Sequence, residues 1–86
     1  MPSYKIQIEK RALKQLSSLP KQFKSRIKSV ISSLAEKPRP SGIKKLHGKM
    51  GIYRIRQGRY RVILYIDDKN KMIQILKIGD RKAVYK

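Results

Sequence analysis

Residues 52–66, with the sequence IYRIRQGRYRVILYI, decide the fold. Two runs rich in β-branched and aromatic residues flank the polar segment Gln57-Gly58-Arg59, and the first run alternates apolar with basic residues. Such alternation is typical of a half-buried strand, and a short connection that contains glycine joins antiparallel neighbours. The stretch therefore predicts a β-hairpin with strands over residues 52–56 and 60–66.

The segments on either side extend this hairpin into a larger sheet. Residues 72–78 form another apolar run, separated from the hairpin only by Asp67-Asp68-Lys69-Asn70, and they predict the third strand of an antiparallel meander. Residues 4–8 alternate apolar with polar side chains, which predicts a first strand near the N-terminus. Residues 39–51 combine prolines, glycines and basic residues, and they predict a connection with one anchored turn.

Two helices are predicted between the first strand and the hairpin. Apolar residues recur at helical spacing from Glu9 until Pro20. A longer pattern follows Pro20 and is stopped by Pro38 and Pro40, because proline lacks an amide donor and disfavours the helical conformation of the residue before it. The apolar residues of the first helix are Ala12, Leu13, Leu16 and Leu19, and those of the second are Phe23, Ile27, Val30, Ile31 and Leu34.

Length and pattern together define the fold class. A chain of 86 residues is typical of one domain. The predicted order is β-α-α-β-β-β, a single α+β domain over residues 1–86 in which a helical hairpin packs on an antiparallel sheet.

Positive charge dominates the composition. The chain has 23 Lys and Arg against five Asp and Glu, a formal charge of +18. Cations at this density favour contacts with phosphates that release counterions, so a polyanionic partner, nucleic acid above all, is expected. The alternative is a solvated cationic surface with no partner.

Several function classes are disfavoured by what the sequence lacks. Cysteine is absent, there is one histidine, and the five acids are scattered, so the sequence predicts neither a metal site nor another cofactor. No uncharged run approaches the roughly 20 residues of a membrane span, and the N-terminus has no apolar signal-peptide core. We therefore expect a cytoplasmic protein that has no membrane contact.

The predicted hairpin brings arginines together. Arg54 and Arg56 lie two residues apart and so leave their strand by the same face. A two-residue turn at Gln57-Gly58 places Arg54 opposite Arg61, and the same turn places Arg56 opposite Arg59. Like charges that face each other destabilise a sheet, whereas guanidinium groups fit phosphate oxygens. The cluster indicates either an anion site or four solvated arginines that splay apart.

Two more residues have open roles. Tyr85, close to the C-terminal end of the sequence, could pack, stack on a base or transfer a proton. His47 is the only side chain that titrates near neutral pH without perturbation, but a lone loop histidine is usually exposed or hydrogen-bonded.

An ordered set of short motifs runs through nearly the whole chain. They are Lys10-Arg11-Ala12-Leu13-Lys14, Leu19-Pro20, Lys44-Lys45-Leu46-His47-Gly48, Tyr53-Arg54-Ile55-Arg56, Tyr60-Arg61-Val62, and Ile78-Gly79-Asp80-Arg81 with Tyr85. With these motifs the chain resembles the RelE toxins of toxin–antitoxin pairs, within the RelE/ParE superfamily.

The resemblance implies a fold, an activity and partners. The implied fold has one strand, two helices and an antiparallel sheet. The implied activity is that of a ribosome-dependent endonuclease, which cleaves mRNA in the ribosomal A site without metal and inhibits translation. The implied partner is a cognate antitoxin that wraps a segment around the toxin in a hetero-oligomer, and the charge of +18 predicts an acidic antitoxin.

Site residues follow from the resemblance by position. The catalytic positions are Arg54, Arg56, Arg61, Arg81 and Tyr85. Relatives carry lysine at the first two, and arginine does not readily give up a proton, so Tyr85 is the expected base, with His47 or Asp80 as alternatives. Arg81 or Arg61 is expected to stabilise the leaving oxygen. Binding of RNA or the ribosome is expected from Lys44, Lys45, His47, Arg59 and Lys82.

Two other functions remain open from sequence. One is a toxin similar to ParE, which shares the scaffold but poisons DNA gyrase; the five matched positions count against it. The other is an RNA-binding module without catalysis, whose arginines only hold phosphates.

Overall fold

The computed structural model of the chain describes residues 3–46 and 48–80. These residues form a five-stranded sheet covered on one face by two helices. The elements are β1 (Lys5–Ile8), α1 (Lys10–Ser17), α2 (Lys21–Ser33), β2 (Lys44–Lys45), β3 (Ile52–Gln57), β4 (Tyr60–Asp67) and β5 (Met72–Asp80). The predicted α+β class, with a helical hairpin on a sheet, is confirmed.

The sheet differs from the predicted one in two respects. Its strand order is β1-β5-β4-β3-β2, and β1 runs parallel to β5, so the sheet is mixed rather than wholly antiparallel. Alternation along residues 4–8 marks a strand but carries no information about its direction. The fifth strand, β2, pairs with β3 through only two residues, both lysines, and a pair of lysines gives no apolar alternation from which a strand could be predicted.

The helices and one face of the sheet enclose the core. Ala12 and Leu16 of α1 and Ile27 and Ile31 of α2 are buried against the strands. The strands contribute the larger share of fully buried side chains, which are Val62, Leu64, Ile73, Ile75 and Ile78. Truncating any one of these large side chains to alanine costs about 2–5 kcal/mol in a close-packed core.

The predicted helices were too long, and one predicted core residue was wrong. Leu13 is 52% exposed, because the eight-residue α1 buries only the narrow stripe formed by Ala12 and Leu16. This helix ends at Ser17, where the hydroxyl groups of Ser17 and Ser18 each donate to the Lys14 carbonyl at 3.0 Å. The second helix ends at Ser33, before the prolines that were expected to stop it.

A β-bulge in β5 sets which side chains face the helices. Ile63 pairs with Lys77 and Leu64 pairs with Ile75, so Leu76 is an extra residue with no partner on β4. The extra residue keeps Ile78 in the core and turns Lys77 to the opposite face. Regular alternation from Ile75 would instead have buried the lysine.

Helix α1 completes the edge of β5 where β1 ends. The N–H of Glu9 donates to the Ile75 carbonyl at 3.0 Å, and beyond it the N–H of Ile78 donates to Gln15 Oε1 at 2.8 Å. A side chain from α1 therefore replaces the missing strand partner. In the described part of the chain, neither helix is long and apolar enough to cross a membrane.

Candidate nucleic-acid interface

The sheet face opposite the helices carries a cluster of cations. Arg54 and Arg56 of β3 and Arg61 of β4 share this face, because side chains alternate along each strand and Ile55 and Val62 between them point into the core. Arg56 is directly opposite Arg61. The predicted grouping of these three arginines on one face therefore holds.

The predicted register of the hairpin was wrong by two residues. The turn consists of Gly58 and Arg59, so Gln57 pairs with Tyr60 and Arg54 lies opposite Ile63 rather than Arg61. Gly58 has a φ of 63°, a conformation that glycine adopts readily at the first position of a two-residue hairpin loop. A shift of two residues keeps every side chain on its face, which is why the arginine cluster survives.

Arg59 is not part of the cationic face. Its Nε and Nη2 atoms donate to Asp80 Oδ2 at 2.9 and 2.8 Å, and its side chain is 69% exposed at the turn. The hydrogen bonds to Asp80 raise the pKa of Arg59. The predicted cluster of four arginines is thus reduced to three, because Arg59 does not belong to it. Asp80 pairs with Tyr60 on the core side of β5 and accepts both hydrogen bonds from Arg59, and its alternative role as general base stays a prediction.

Two lysines join the three arginines. Lys44 of β2 pairs with Arg54, and Lys77 of β5 pairs with Ile63. One row across four strands therefore reads Lys44, Arg54, Ile63 and Lys77, and the next row reads Arg56, Arg61 and Gly79. We call these seven residues the cationic face. No acidic residue occupies any of its positions.

Sequence reasoning missed Lys77. The apolar residues Ile73, Ile75 and Ile78 are spaced by two and then three residues, which breaks the period of a strand. That break is the sequence signal of the bulge that turns Lys77 outward.

The cationic face is partly shielded from solvent. Arg61 is only 6% exposed and Ile63 7%, although neither belongs to the core under the helices. The Nε atoms of both Arg54 and Arg61 are also screened from water. A charge in such surroundings interacts more strongly with an anion than a fully solvated charge does.

The hairpin end of the cationic face is braced by α2. The ring of Phe23, in the first turn of that helix, meets Tyr60 edge-on, with centroids 4.9 Å apart and planes inclined by 62°. A Cβ atom at Gly58 would lie 3.5 Å from the same phenylalanine ring, so the turn itself also contacts the helix. The strand ends that carry Arg56 and Arg61 are therefore held in place.

A second polar cluster holds the segment before β2. Arg39 Nη1 and Nη2 donate to the two carboxylate oxygens of Asp68 at 3.0 and 2.8 Å, and Arg39 Nε and Nη2 donate to the Tyr53 hydroxyl at 3.3 and 3.1 Å. The Tyr4 hydroxyl donates to Asp68 at 2.6 Å. We call these four residues the Arg39 clamp. It ties the loop after α2 to β3, and this loop leads directly to Lys44.

The clamp shifts the ionisation of its members. Hydrogen bonds from Arg39 and then from Tyr4 lower the pKa of Asp68 to about 2. The hydrogen bond to Asp68 raises the pKa of Tyr4, and Asp68 and Tyr53 raise the pKa of Arg39. Sequence reasoning did not find this cluster, since its partners are 14 to 64 residues apart and no local pattern links them.

The remaining predicted residues fall into two groups. Lys45 pairs with Tyr53 and so lies on the other side of β2 from Lys44. It is one of the residues that line a cavity of about 520 Å³, together with Leu46, Gly48, Lys49 and Met50. His47, Arg81, Lys82 and Tyr85 lie outside the described residues. Within residues 3–46 and 48–80, there is no group of three or more metal-ligating side chains.

Solved structures of toxins share this arrangement of helices and strands. The RelE chain of an archaeal RelE–RelB complex from Pyrococcus horikoshii is 37% identical, with a TM-score of 0.82 over 92% of this chain and 96% of that chain. The isolated RelE toxin of Escherichia coli is 25% identical, with a TM-score of 0.80 over 96% of this chain and 92% of that chain. The fold is that of the toxins of toxin–antitoxin pairs.

Sequence comparison gives the family. Residues 6–85 match the model of the ParE toxin of type II toxin–antitoxin systems. A Methanocaldococcus jannaschii protein that carries the name toxin RelE1 is 35% identical over 86 residues, 96% of each chain. The chain belongs to the RelE/ParE superfamily of toxins, as the resemblance of its motifs predicted.

Proposed function

We propose that this toxin is a ribosome-dependent endoribonuclease that cleaves mRNA in the ribosomal A site and so inhibits translation. The observation that carries the proposal is the direct opposition of Arg56 and Arg61 on a sheet face with no acid in either of its rows. A sheet selected for stability alone would avoid two arginines at paired positions, because like charges there cost up to about 1 kcal/mol. An anionic ligand such as an RNA phosphate removes this repulsion.

The proposed reaction has three requirements. The 2′-hydroxyl of a ribose loses its proton, its oxygen attacks the adjacent phosphorus, and negative charge builds on the phosphorane. The 5′-oxygen of the next nucleotide then leaves and takes up a proton. The products are a 2′,3′-cyclic phosphate and a 5′-hydroxyl end, so atoms and charge balance.

The described arginines suit the second requirement. Arg54, Arg56 and Arg61 can surround a phosphorane with guanidinium donors that remain charged throughout the reaction. By resemblance we assign the base to Tyr85 and the leaving-group contact to Arg81 or Arg61. Lys44 and Lys77 would hold the flanking phosphates.

The proposed partner in the cell is a cognate acidic antitoxin. The formal charge of +18 favours an anionic segment, and the Pyrococcus horikoshii relative was solved together with RelB. We further propose that the toxin acts in the cytoplasm, where translating ribosomes and messenger are found.

The experiment adds the purified chain to a translating bacterial extract and maps messenger ends by primer extension. Cuts that appear only during translation support the proposal, and free RNA without ribosomes should stay intact. A matched control is Arg26→Ala, which removes an exposed cation from α2, behind the sheet. This variant should cleave as the unchanged chain does.

Gyrase poisoning is a second candidate, and the match of residues 6–85 to the ParE toxin model favours it. A gyrase poison would leave messenger intact and trap broken DNA in a supercoiling reaction with purified gyrase. Binding without either effect would indicate a non-catalytic RNA-binding protein.

A further inference from the structure

Tyr65 is an exposed aromatic residue beside the cationic face. It lies on β4 two residues after Ile63 and four after Arg61, so its ring leaves the sheet by the same face. Its side is set by pairing with Ile52 on β3 and Gln74 on β5. The residue is 37% exposed, among the few large hydrophobic side chains of the described residues that reach the surface.

The ring of Tyr65 is held by Gly51. A Cβ atom at this glycine would lie 2.6 Å from Tyr65 Cε1 and 2.9 Å from Cδ1, so the ring rests against bare backbone. Gly51 has a φ of 76°, and its carbonyl accepts the Ile66 N–H at 2.9 Å, which ties it to the strand that carries the tyrosine. A ring fixed in this way loses little conformational freedom when a flat ligand stacks on it.

Cations flank the ring on one side. Ile63 lies between Arg54 on β3 and Lys77 on β5, directly opposite both. Two residues along a strand correspond to about 7 Å, so the ring is one step along the sheet from this pair. Side chains as long as lysine and arginine can reach phosphates on either side of a nucleotide whose base covers the ring.

We propose that Tyr65 is the platform on which one base of a single-stranded RNA stacks, while Arg54 and Lys77 bind the adjoining phosphates. A fixed aromatic ring next to a cationic track is the usual arrangement for binding single strands. An acidic protein segment would also be attracted by the cations, and contact of the ring with such a segment is the outcome that would count against RNA. The assignment rests on the proposed function only in taking RNA as the ligand of this face.

The test compares two ligands of equal charge. The first is a short fluorescent single-stranded RNA with 2′-O-methyl groups, which block cleavage, and the second is an abasic strand of the same length. The probes are titrated into the unchanged chain, Tyr65→Ala and Tyr65→Phe, with Leu13→Ala as a control that removes an exposed apolar side chain from α1, behind the sheet. Thermal melting by circular dichroism checks that each variant is folded.

The expected result is selective. Tyr65→Ala weakens the affinity for the RNA by about 5- to 150-fold and changes the affinity for the abasic strand by no more than about twofold. Tyr65→Phe keeps the ring and therefore the preference for RNA over the abasic strand. Leu13→Ala leaves both affinities unchanged. The proposal would be overturned if Tyr65→Ala weakened the affinity for both ligands equally or changed neither affinity. If neither affinity changed, the result would fit a ring that contacts the antitoxin instead.

Messenger cleavage by the unchanged chain separates this proposal from the proposed function. If the chain cleaves messenger but Tyr65→Ala binds RNA normally, the base platform is wrong and the nuclease stands. If the chain cleaves nothing but the ring still selects RNA over the abasic strand, the nuclease is wrong and the platform stands.

Discussion

Arg56 and Arg61 occupy directly opposite positions on β3 and β4, in the part of the sheet that α2 braces through Phe23 and Tyr60. The backbone pairing of β3 with β4, which continues to Gln57 and Tyr60 beside the two-residue turn, holds the strands together against the repulsion. Two like charges are therefore maintained side by side at some cost to stability. This relationship predicts that stability and activity respond in opposite directions to the same substitution.

Arg56→Thr should stabilise the fold and impair the toxin. Threonine favours strands and removes the paired like charge, so the free energy of unfolding should rise by up to about 1 kcal/mol. Because Arg56 is exposed and its charge is screened by solvent, we expect the lower part of that range. Urea unfolding followed by circular dichroism measures the change. Cleavage of messenger should fall in the same variant. A variant that is less stable yet fully active would contradict this account of Arg56.

Lys77→Ala should weaken RNA binding through charge alone. Loss of one phosphate contact to a single strand reduces the slope of log K against log salt by about 0.7. Fluorescence titrations at several salt concentrations give that slope. Lys28→Ala is the matched control, because Lys28 is an exposed cation on α2 and should leave the slope unchanged. Equal slopes for both variants would show that the bulge does not bring Lys77 to the ligand.

Gly51→Ala should be more harmful than Gly48→Ala. Both glycines have a positive φ, 76° and 72°, so alanine carries a similar backbone penalty of about 1–2 kcal/mol at each. A Cβ at Gly51 also displaces the Tyr65 ring, whereas a Cβ at Gly48 meets nothing within 4 Å. Only Gly51→Ala should therefore weaken RNA binding as well as lower the melting temperature. Equal losses in both variants would mean that the ring moves aside freely.

Asp68→Asn should destabilise the chain near neutral pH and have little effect in acid. The pKa of Asp68 is about 2 in the folded chain and near 3.8 without its partners, so the carboxylate stabilises the fold above about pH 4. That contribution is lost as pH falls from about 4 to about 2, where Asp68 becomes protonated. Melting temperatures of the two proteins should converge over this interval. A difference that is constant with pH would show that the clamp does not depend on the charge of Asp68.

The parts of the fold with a local period could be predicted from sequence. Alternation over residues 52–56 and helical spacing from Ala12 to Leu16 each report on which face is buried, so the hairpin and the helices followed from pattern. The sheet face that carries the arginines could also be predicted. An error of two residues in the register of the turn leaves each side chain on the same face of the sheet.

The remaining features depend on contacts between distant residues. The turn register was decided by the positive φ of Gly58 as the first loop residue, although a turn with glycine second fits the sequence equally well. The position of Lys44 beside Arg54 depends on the pairing of two lysines with β3. The loop before these lysines is held by the contact of Arg39 with Asp68, two residues that are 29 positions apart in the sequence. No local pattern encodes either arrangement.

The most direct test of the central claim compares messenger cleavage by three proteins in a translating extract. They are the unchanged chain, a double variant that combines Arg56→Ala with Arg61→Lys, and the control variant Arg26→Ala. If the cationic face binds and stabilises the reacting phosphate, the unchanged chain and Arg26→Ala cut messenger only when ribosomes translate, and the double variant cuts at least about tenfold more slowly while still folding. Equal cleavage by all three proteins, or intact messenger with the unchanged chain, would contradict the account.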